Sequence, residues 1–209
     1  MAKLKVLGRV TSINVRKVLW AADELGIEYE REDWGLPLRD PKAPEFLALN
    51  PNGLVPVIVE DGFVLWESHA ILRYLAETRD QGLLLPKEAR PRAIADQWMT
   101  WQATELNPTL GYAFLALARK VPGYDDPHKI AESAARWGAK MAILEAQLEG
   151  TGAHVAGSDF TLADIPVGLS AHRWFGTPME RPELPAVAAY YERLKAREAA
   201  RPWLVPETP

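Results

Sequence analysis

The chain has 209 residues, a formal net charge of −4, and 48% hydrophobic and 25% charged residues. This composition is typical of soluble globular proteins and excludes a disordered chain. Cysteine is absent, which excludes disulfides, thiolate metal sites and cysteine nucleophiles. Acidic and basic residues are evenly spread, so no surface for nucleic acid or anionic membranes is expected. No apolar run approaches the ~18 residues of a membrane span.

The first 80 residues alternate between strand and helix patterns. Apolar residues recur with period two in the strands and at helical spacing in the helices. The elements predicted, in chain order, are a strand at 3–7, a helix at 14–25, a strand at 27–30, a short helix at 45–49, strands at 54–59 and 63–65, and a helix at 67–77. Gly26 is placed to end the first helix. The order βαβαββα predicts an α/β domain at 1–80.

After Asp80 the pattern changes. Residues 81–91 contain glycine, proline and mixed charge, which predicts a linker. Only helical patterns follow, at about 92–119, 127–149, 161–175 and 185–198, with boundaries uncertain by ~2–4 residues. We therefore expect an all-α helical-bundle domain at 92–209. The start of the chain leads into the first strand without the apolar segment of a secretory signal, so we expect a cytoplasmic protein.

Ser12 lies between the first strand and the first helix, at the edge where α/β sheets bind ligands. Its hydroxyl either caps the helix or points at a ligand atom beside the positive end of the helix. Thr11 and Asn14 are neighbouring candidates for the second role. No histidine lies nearby in the sequence, so a serine–histidine hydrolase arrangement has little support.

Two further motifs lie next to predicted strands. Pro56, at the start of the third strand, predicts either an edge position or a cis peptide bond after Val55. In a thioredoxin-like fold, which this element order resembles, the residue before such a proline offers its backbone to a peptide ligand. Glu67 and Ser68 open the last helix of the domain, where Ser68 acts as a cap or the helix start receives a carboxylate.

The sequence resembles the soluble glutathione S-transferases in three segments, in the expected order. These segments are Ser12–Leu19, Pro44–Ile58 and Leu65–Ala76. The pattern is similar to that of serine-type enzymes of the phi and theta classes and their bacterial relatives. The segment Phe160–Ile165 is similar to the helix-capping motif of the family, so the resemblance extends over the whole chain.

That last segment also has an interpretation from its residues alone. Thr161 is placed to cap a helix, and Asp164 to accept a hydrogen bond from the Thr161 backbone, as in a capping box. Phe160 and Ile165 flank this pair in the positions of a hydrophobic staple. The motif therefore predicts a contribution to folding.

The family resemblance implies a role for each residue of the site. Ser12 would hydrogen-bond the glutathione sulfur, and Val55, ahead of cis-Pro56, would bind the cysteinyl backbone. Glu67 would bind the ammonium of the γ-glutamyl end, and Ser68 with its helix start would bind the carboxylate.

The glycyl end of glutathione has two candidate partners. Lys42 would face the glycyl carboxylate, with Arg39 as a competitor. Leu54 departs from the pattern, because many serine-type members have Gln or Lys there in contact with glutathione. We expect this departure to affect affinity.

The implied activity is transfer of glutathione, with its thiol activated as a thiolate, to small hydrophobic electrophiles in detoxification. Glutathione is the co-substrate, and no cofactor or metal is expected. Trp101, Leu106 and Tyr112 would line the electrophile pocket, although aromatic and apolar residues of this kind are also common in cores. A homodimer is implied, with Arg73 and Tyr74 contributing. The alternatives are a glutathione-dependent isomerase, dehalogenase or peroxidase, or a non-catalytic interaction module.

Overall fold

The computed structural model describes residues 3–80, 82 and 84–205. Parts of the predicted linker and the outer ends of both predicted domains lie outside these residues. The chain divides into two compact units, Met1–Leu85 and Pro86–Pro209. The division falls inside the segment 81–91 that the sequence marks as a linker.

The N-terminal unit contains four strands and three helices in the order βαβαββα, as predicted. They are β1 Leu4–Leu7, α1 Ile13–Glu24, β2 Tyr29–Glu32, α2 Pro44–Leu47, β3 Val57–Glu60, β4 Phe63–Trp66 and α3 Ser68–Arg79. The sheet order is β2-β1-β3-β4, with β1 parallel to β2 and antiparallel to β3, and β3 antiparallel to β4. This is the thioredoxin-like arrangement expected from the sequence.

Two strands, β2 and β3, begin two and three residues later than predicted, for reasons in their backbone hydrogen bonds. The amide of Ile27 donates to Ala22 O at 2.9 Å, beside Gly26 at φ 64°. These features form a Schellman end to α1, which delays β2 to Tyr29. The third strand begins at Val57 because Pro56 has no amide hydrogen to donate to the sheet.

One face of the N-terminal sheet packs against α1 and α3. The apolar residues at helical spacing in these helices are fully buried at Val15, Val18, Leu19, Ala22, Ile71, Leu72 and Leu75. Leu25, which the same spacing assigns to the apolar face of α1, lies after its last turn and is only partly buried. A smaller cluster joins Leu7, Trp34, Phe46 and Val57, with the rings of Trp34 and Phe46 4.8 Å apart. The core therefore fixes the ends of the strands from which the candidate site residues extend.

The described part of the C-terminal unit is helical, as predicted. Its helices are α4 Ala89–Trp101, α5 Asn107–Ala113, α6 Pro127–Thr151, α7 Asp164–Gly176 and α8 Pro185–Lys195. The first helix begins at Ala89, earlier than the predicted 92. Pro91 lies in its first turn, where a missing amide hydrogen costs no helical hydrogen bond. No described helix combines the length and apolar character needed to span a membrane.

The helix predicted over 92–119 is interrupted by wide π-type turns at Gln102–Leu106 and Phe114–Ala118. Pro108 lacks an amide hydrogen, so the helical bond to the preceding turn cannot form there. Further along, the Ser133 hydroxyl accepts from the Ala113 amide at 3.1 Å and donates to Thr109 O at 2.7 Å. This side chain of α6 is inserted between a helical donor and its usual acceptor.

The capping box before α7 is confirmed. Asp164 Oδ2 accepts from the Thr161 amide at 2.7 Å, and Thr161 Oγ1 accepts from the Ala163 amide at 3.3 Å. The other Asp164 oxygen accepts from the Val155 amide and the Tyr190 hydroxyl, both at 3.0 Å. Burial raises the pKa of Asp164, while hydrogen bonds from Val155 and Thr161 act in the opposite direction. The helix itself begins at Asp164, later than the predicted 161.

Candidate functional site

The turn that follows β1 lies in contact with the loop that precedes β3. A Cβ atom added to Gly8 would be 2.4 Å from Val15 Cγ2 and 3.3 Å from Val55 Cβ. Real Cβ atoms do not approach other carbons at the shorter of these distances. Strand β1, the start of α1 and the Val55 loop therefore meet around Gly8.

Ser12 is the residue before α1, with extended backbone angles of φ −83° and ψ 124°. Among the residues that the structure describes, its hydroxyl makes no capping hydrogen bond to the helix. The Ser12 carbonyl accepts the first helical bond, from the Arg16 amide at 3.0 Å. The side chain of Ser12 is thus partly exposed beside the positive end of α1 without serving as its cap.

The two alternatives to Ser12 are engaged in other contacts. Thr11 Oγ1 accepts a hydrogen bond from Arg9 Nη1 at 3.2 Å. Asn14 Oδ1 lies 3.5 Å from Ser68 Oγ and accepts its hydrogen bond. Asn14 therefore links the start of α1 to the start of α3, a role that its position in the sequence does not reveal.

The Val55–Pro56 peptide bond is cis, as expected. The loop ahead of it is organised by Asn50, whose side chain is buried. Asn50 Nδ2 donates to Leu54 O at 2.7 Å, and Asn50 Oδ1 accepts from the Asn52 amide at 3.0 Å. Asn50 opens the segment Asn-Pro-Asn-Gly, which is a turn signal in the sequence, but the contacts of its side chain inside the loop are not visible there.

Glu67 and Ser68 lie where β4 ends and α3 begins. Glu67 has φ 73° and ψ 109°, a backbone conformation that residues other than glycine rarely adopt. Its side chain is exposed and makes no capping bond within the described chain, whereas Ser68 is buried. Behind them, Lys17 Nζ lies 3.1 Å from His69 Nε2, which joins α1 to α3 a second time.

The structure separates the two candidates for the glycyl end. Lys42 Nζ donates to Asn52 O at 2.7 Å, and the Lys42 side chain crosses Gly53, so it lies against the loop that leads to Val55. Arg39 instead stacks on the Trp34 ring at 3.7 Å. It also pairs with two carboxylates, Glu32 at 3.6 Å and Glu45 at 4.0 Å.

The three residues expected to line an electrophile pocket have different surroundings in the C-terminal unit. Trp101 packs edge-to-face on Trp98 and, with Ile143, lines a groove of about 440 Å³. Leu106 is fully buried, which corresponds to the core alternative. The ring of Tyr112 lies 5.0 Å from that of Tyr124. Among the described residues, no cluster of His, Asp or Glu is arranged to hold a metal ion.

Comparison with known proteins agrees with this arrangement. Residues 11–78, which include the Ser12 turn, the Val55 loop and Glu67, match the family model described as the N-terminal domain of glutathione S-transferase. Glutathione S-transferase GstB of Escherichia coli is 33% identical over 196 residues, covering 93% of this chain and 94% of that protein. The chain belongs to the glutathione S-transferase family.

Other relatives extend the match over both units of this transferase. Glutathione S-transferase 3 of Zea mays is 32% identical over 206 residues, covering 95% of this chain and 92% of that protein. The glutathione-bound theta class enzyme of Xanthomonas axonopodis pv. citri superposes with a TM-score of 0.91 at 36% identity, covering 98% of each chain. This transferase therefore has the fold of the family throughout its described length.

Proposed function

We propose that this chain is a serine-type glutathione transferase that transfers glutathione to small hydrophobic electrophiles. The observation that supports this most directly is the Ser12 hydroxyl, which lies at the start of α1 and does not cap that helix within the described chain. A serine needed only for folding would have its hydroxyl on the first amides of α1. An uncommitted hydroxyl beside a helix start suits an anionic ligand atom.

Glutathione would bind along the side of the N-terminal unit that is formed by the Ser12 turn, the Val55 loop and the first residues of α3. Val55 would pair with the cysteinyl backbone as a strand does, ahead of cis-Pro56. Glu67 would bind the ammonium of the γ-glutamyl end, and Ser68 with the α3 amides its carboxylate.

Lys42 is our candidate for the glycyl carboxylate. Its contact with Asn52 O places its ammonium beside the loop that ends at Val55. Arg39 is a weaker candidate, because its charge is already balanced by Glu32 and Glu45. The exposed Leu54 side chain provides no polar contact on the same loop.

The proposed chemistry depends on the ionisation of the glutathione thiol. A free thiol with a pKa of about 8.5 is only a few per cent ionised at pH 7, and the thiolate is the attacking form. A hydroxyl that donates to sulfur stabilises the thiolate and not the thiol. Lowering the pKa by about two units would raise the thiolate fraction at pH 7 from about 3% to about 75%.

The test is Ser12→Ala assayed from pH 6.5 to 9 with a halogenated aromatic electrophile. Turnover should fall by about tenfold or more at pH 6.5, and the loss should shrink toward pH 9, where the thiol ionises unaided. Glutathione affinity, measured by calorimetry, should change little. Ser158→Ala, a serine in the other unit that donates to Asp159, is the control. Full activity of Ser12→Ala at pH 6.5 would contradict the proposal.

The electrophile is best sought with a panel screened in the presence of glutathione. Halogenated aromatics, alkyl halides, epoxides and peroxides separate conjugation from dehalogenase and peroxidase activity. Conjugation of apolar aromatic electrophiles is the expected result. Binding of glutathione without turnover of any panel member would instead favour the non-catalytic module.

A further inference from the structure

Arg9 is held at the same turn as Ser12. The Ser12 amide donates to Arg9 O at 3.1 Å, which closes a four-residue turn, and the Arg9 amide donates to Trp34 O at 2.9 Å. The first and last Cα atoms of such a turn lie within about 7 Å of each other. Arg9 and Ser12 are therefore the two ends of one short, hydrogen-bonded segment.

The Arg9 side chain folds back over this turn. Its Nη1 donates to Thr11 Oγ1 at 3.2 Å, so the guanidinium lies beside the residue that precedes Ser12. The stem passes over Gly35, where an added Cβ would lie 3.2 Å from Arg9 Cδ. Gly35 has φ 105°, and it leaves the space that the stem occupies. The guanidinium is thus positioned by contacts at both ends of the side chain.

The charge of Arg9 has no carboxylate partner among the residues that the structure describes. The neighbouring arginines differ: Arg31 pairs with Asp33, and Arg39 with two glutamates. Between residues 9 and 22 the chain contains three cationic residues and no acidic one. A guanidinium remains protonated at any pH of interest, and Arg9 is only partly exposed, so its field is not fully screened by water.

From this geometry we propose that Arg9 is a second group that stabilises the glutathione thiolate, acting through its charge at the turn that ends at Ser12. The proposal rests on the glutathione transferase function proposed above. Ser12 donates a hydrogen bond to the sulfur, and Arg9 supplies a positive charge that favours the same ionised form. An opposite charge within ~4–6 Å shifts a pKa by one to three units, and partial exposure reduces this to an expected 0.5–1 unit.

The experiment measures the thiol pKa of bound glutathione from the ultraviolet absorbance of the thiolate during a pH titration. Arg9→Gln removes the charge but retains an amide that can donate to Thr11. We expect the thiol pKa to rise by about 0.5–1 unit, with kcat/KM at pH 6.5 falling about three- to tenfold and recovering toward pH 9. In Arg9→Lys, which keeps the charge, the thiol pKa of bound glutathione should stay close to the wild-type value.

Two controls separate the effect of the Arg9 charge from the effect of Arg9 on the conformation of the turn. Thr11→Val removes the hydrogen-bond partner of Arg9 and leaves its charge, so the thiol pKa should stay near that of the wild type. Lys5→Gln removes a cation that is already paired with Glu32 at 3.5 Å, and it should also have no effect on this pKa. An equal rise in Thr11→Val and Arg9→Gln would overturn the proposal, because the turn geometry alone would then explain the effect.

The result also distinguishes this inference from the proposed function. A wild-type thiol pKa in Arg9→Gln, combined with a raised pKa in Ser12→Ala, would overturn the role of Arg9 alone. An ordinary thiol pKa in the wild type would overturn the thiolate mechanism itself. If Arg9→Gln does not fold, salt titration of the wild type provides the test. Because salt screens the Arg9 charge, the thiol pKa should rise with ionic strength. A thiol pKa that does not change with ionic strength would overturn the proposed role of Arg9.

Discussion

At the scale of single residues, Glu67 stands out because its backbone is unfavourable for an L-amino acid. A residue in such a region costs about 1–3 kcal/mol and persists only where its surroundings impose the conformation. The hydrogen bond between Ser68 and Asn14 and the contact between Lys17 and His69 hold α3 against α1 on the side that follows Glu67. The strained position therefore presents a carboxylate at the start of a helix.

Glu67→Gln should weaken glutathione binding by about 1.5–3 kcal/mol, the size of a hydrogen bond to a charged group. This corresponds to roughly a 10- to 150-fold rise in Kd, measured by calorimetry. The physical reason is the loss of the carboxylate that we propose as the partner of the ligand ammonium. Glu77→Gln makes the same change on the same helix, at its far end, and should leave affinity unaltered.

Glycine at position 67 separates the effect of Glu67 on glutathione binding from its effect on the stability of the fold. Glycine adopts positive φ without steric cost, so Glu67→Gly should unfold at the same temperature as the wild type or slightly above. Its affinity for glutathione should nevertheless fall as in Glu67→Gln. Unchanged affinity in both variants would remove Glu67 from the proposed site.

The residues of the site could be predicted from sequence only where the motif itself shows the chemistry. The position of Pro56 at the start of a strand left an edge position and a cis bond open, and the resemblance to the family implied the cis bond that the structure has. The structural roles of Asn50 and Asn14 were not predicted, since they depend on contacts that the sequence does not show. Asn50 shapes its own loop, while the contact of Asn14 with Ser68 joins residues 54 positions apart.

At the scale of elements, the segment from α4 to α5 shows how a distant side chain changes a helix. The Ser133 hydroxyl replaces the direct bond between Ala113 and Thr109 and is itself buried. Apolar spacing predicted one continuous helix here, and it could not reveal the insertion because Ser133 belongs to another helix. Pro108, by contrast, is visible in the sequence and accounts for the neighbouring wide turn.

Ser133→Ala should destabilise the chain by about 1–3 kcal/mol, because two buried backbone groups lose their partner. The measurement is urea unfolding followed by circular dichroism, with Ser158→Ala as the matched control at an exposed serine. If the variant is as stable as the wild type, the helix closes its own bond when the hydroxyl is removed. The inserted Ser133 hydroxyl would then affect the path of this helical segment and not the stability of the chain.

At the scale of the whole molecule, the described N-terminal unit has a cluster of charged side chains at the end of β3 that lies away from the site. Tyr74 donates to Glu60 at 2.9 Å, and Arg79 donates to the other oxygen of the same carboxylate. Burial raises the pKa of Glu60, but the hydrogen bonds from Arg79 and Tyr74 outweigh it and leave the pKa below its ordinary value. Proton binding is therefore weaker in the folded chain than in the unfolded one.

This difference sets the direction of an acid effect. Because the folded pKa is lowered, the stabilisation by Glu60 is present above the ordinary pKa of about 4.5 and is lost as the pH falls through the folded value. Glu60→Gln should cost about 1 kcal/mol at pH 7 and make urea stability less dependent on pH between 5 and 3. An acid response identical to that of the wild type would contradict this, and Asp61→Asn provides the neighbouring control.

The family resemblance also predicts a homodimer, in which Arg73 and Tyr74 on α3 contribute. The Tyr74 ring packs on the partly exposed ring of Phe63 at 5.0 Å, so α3 and β4 present an aromatic pair at the surface of this chain. Light scattering should give about 47 kDa, twice the 23.3 kDa of one chain. Arg73→Glu should lower this mass at micromolar concentration, and a wild-type mass of 23.3 kDa would refute the dimer.

The contact around Gly8 has a consequence for how this protein can change over evolutionary time. A single methyl group at that position would force apart the helix start and the loop on which glutathione recognition is proposed to depend. Exposed positions nearby, such as Leu54, can vary without disturbing the core. Libraries that seek new selectivity should therefore randomise the rim and keep position 8 invariant. A folded and active variant with a larger residue at position 8 would show that the packing around Gly8 tolerates more volume than the structure indicates.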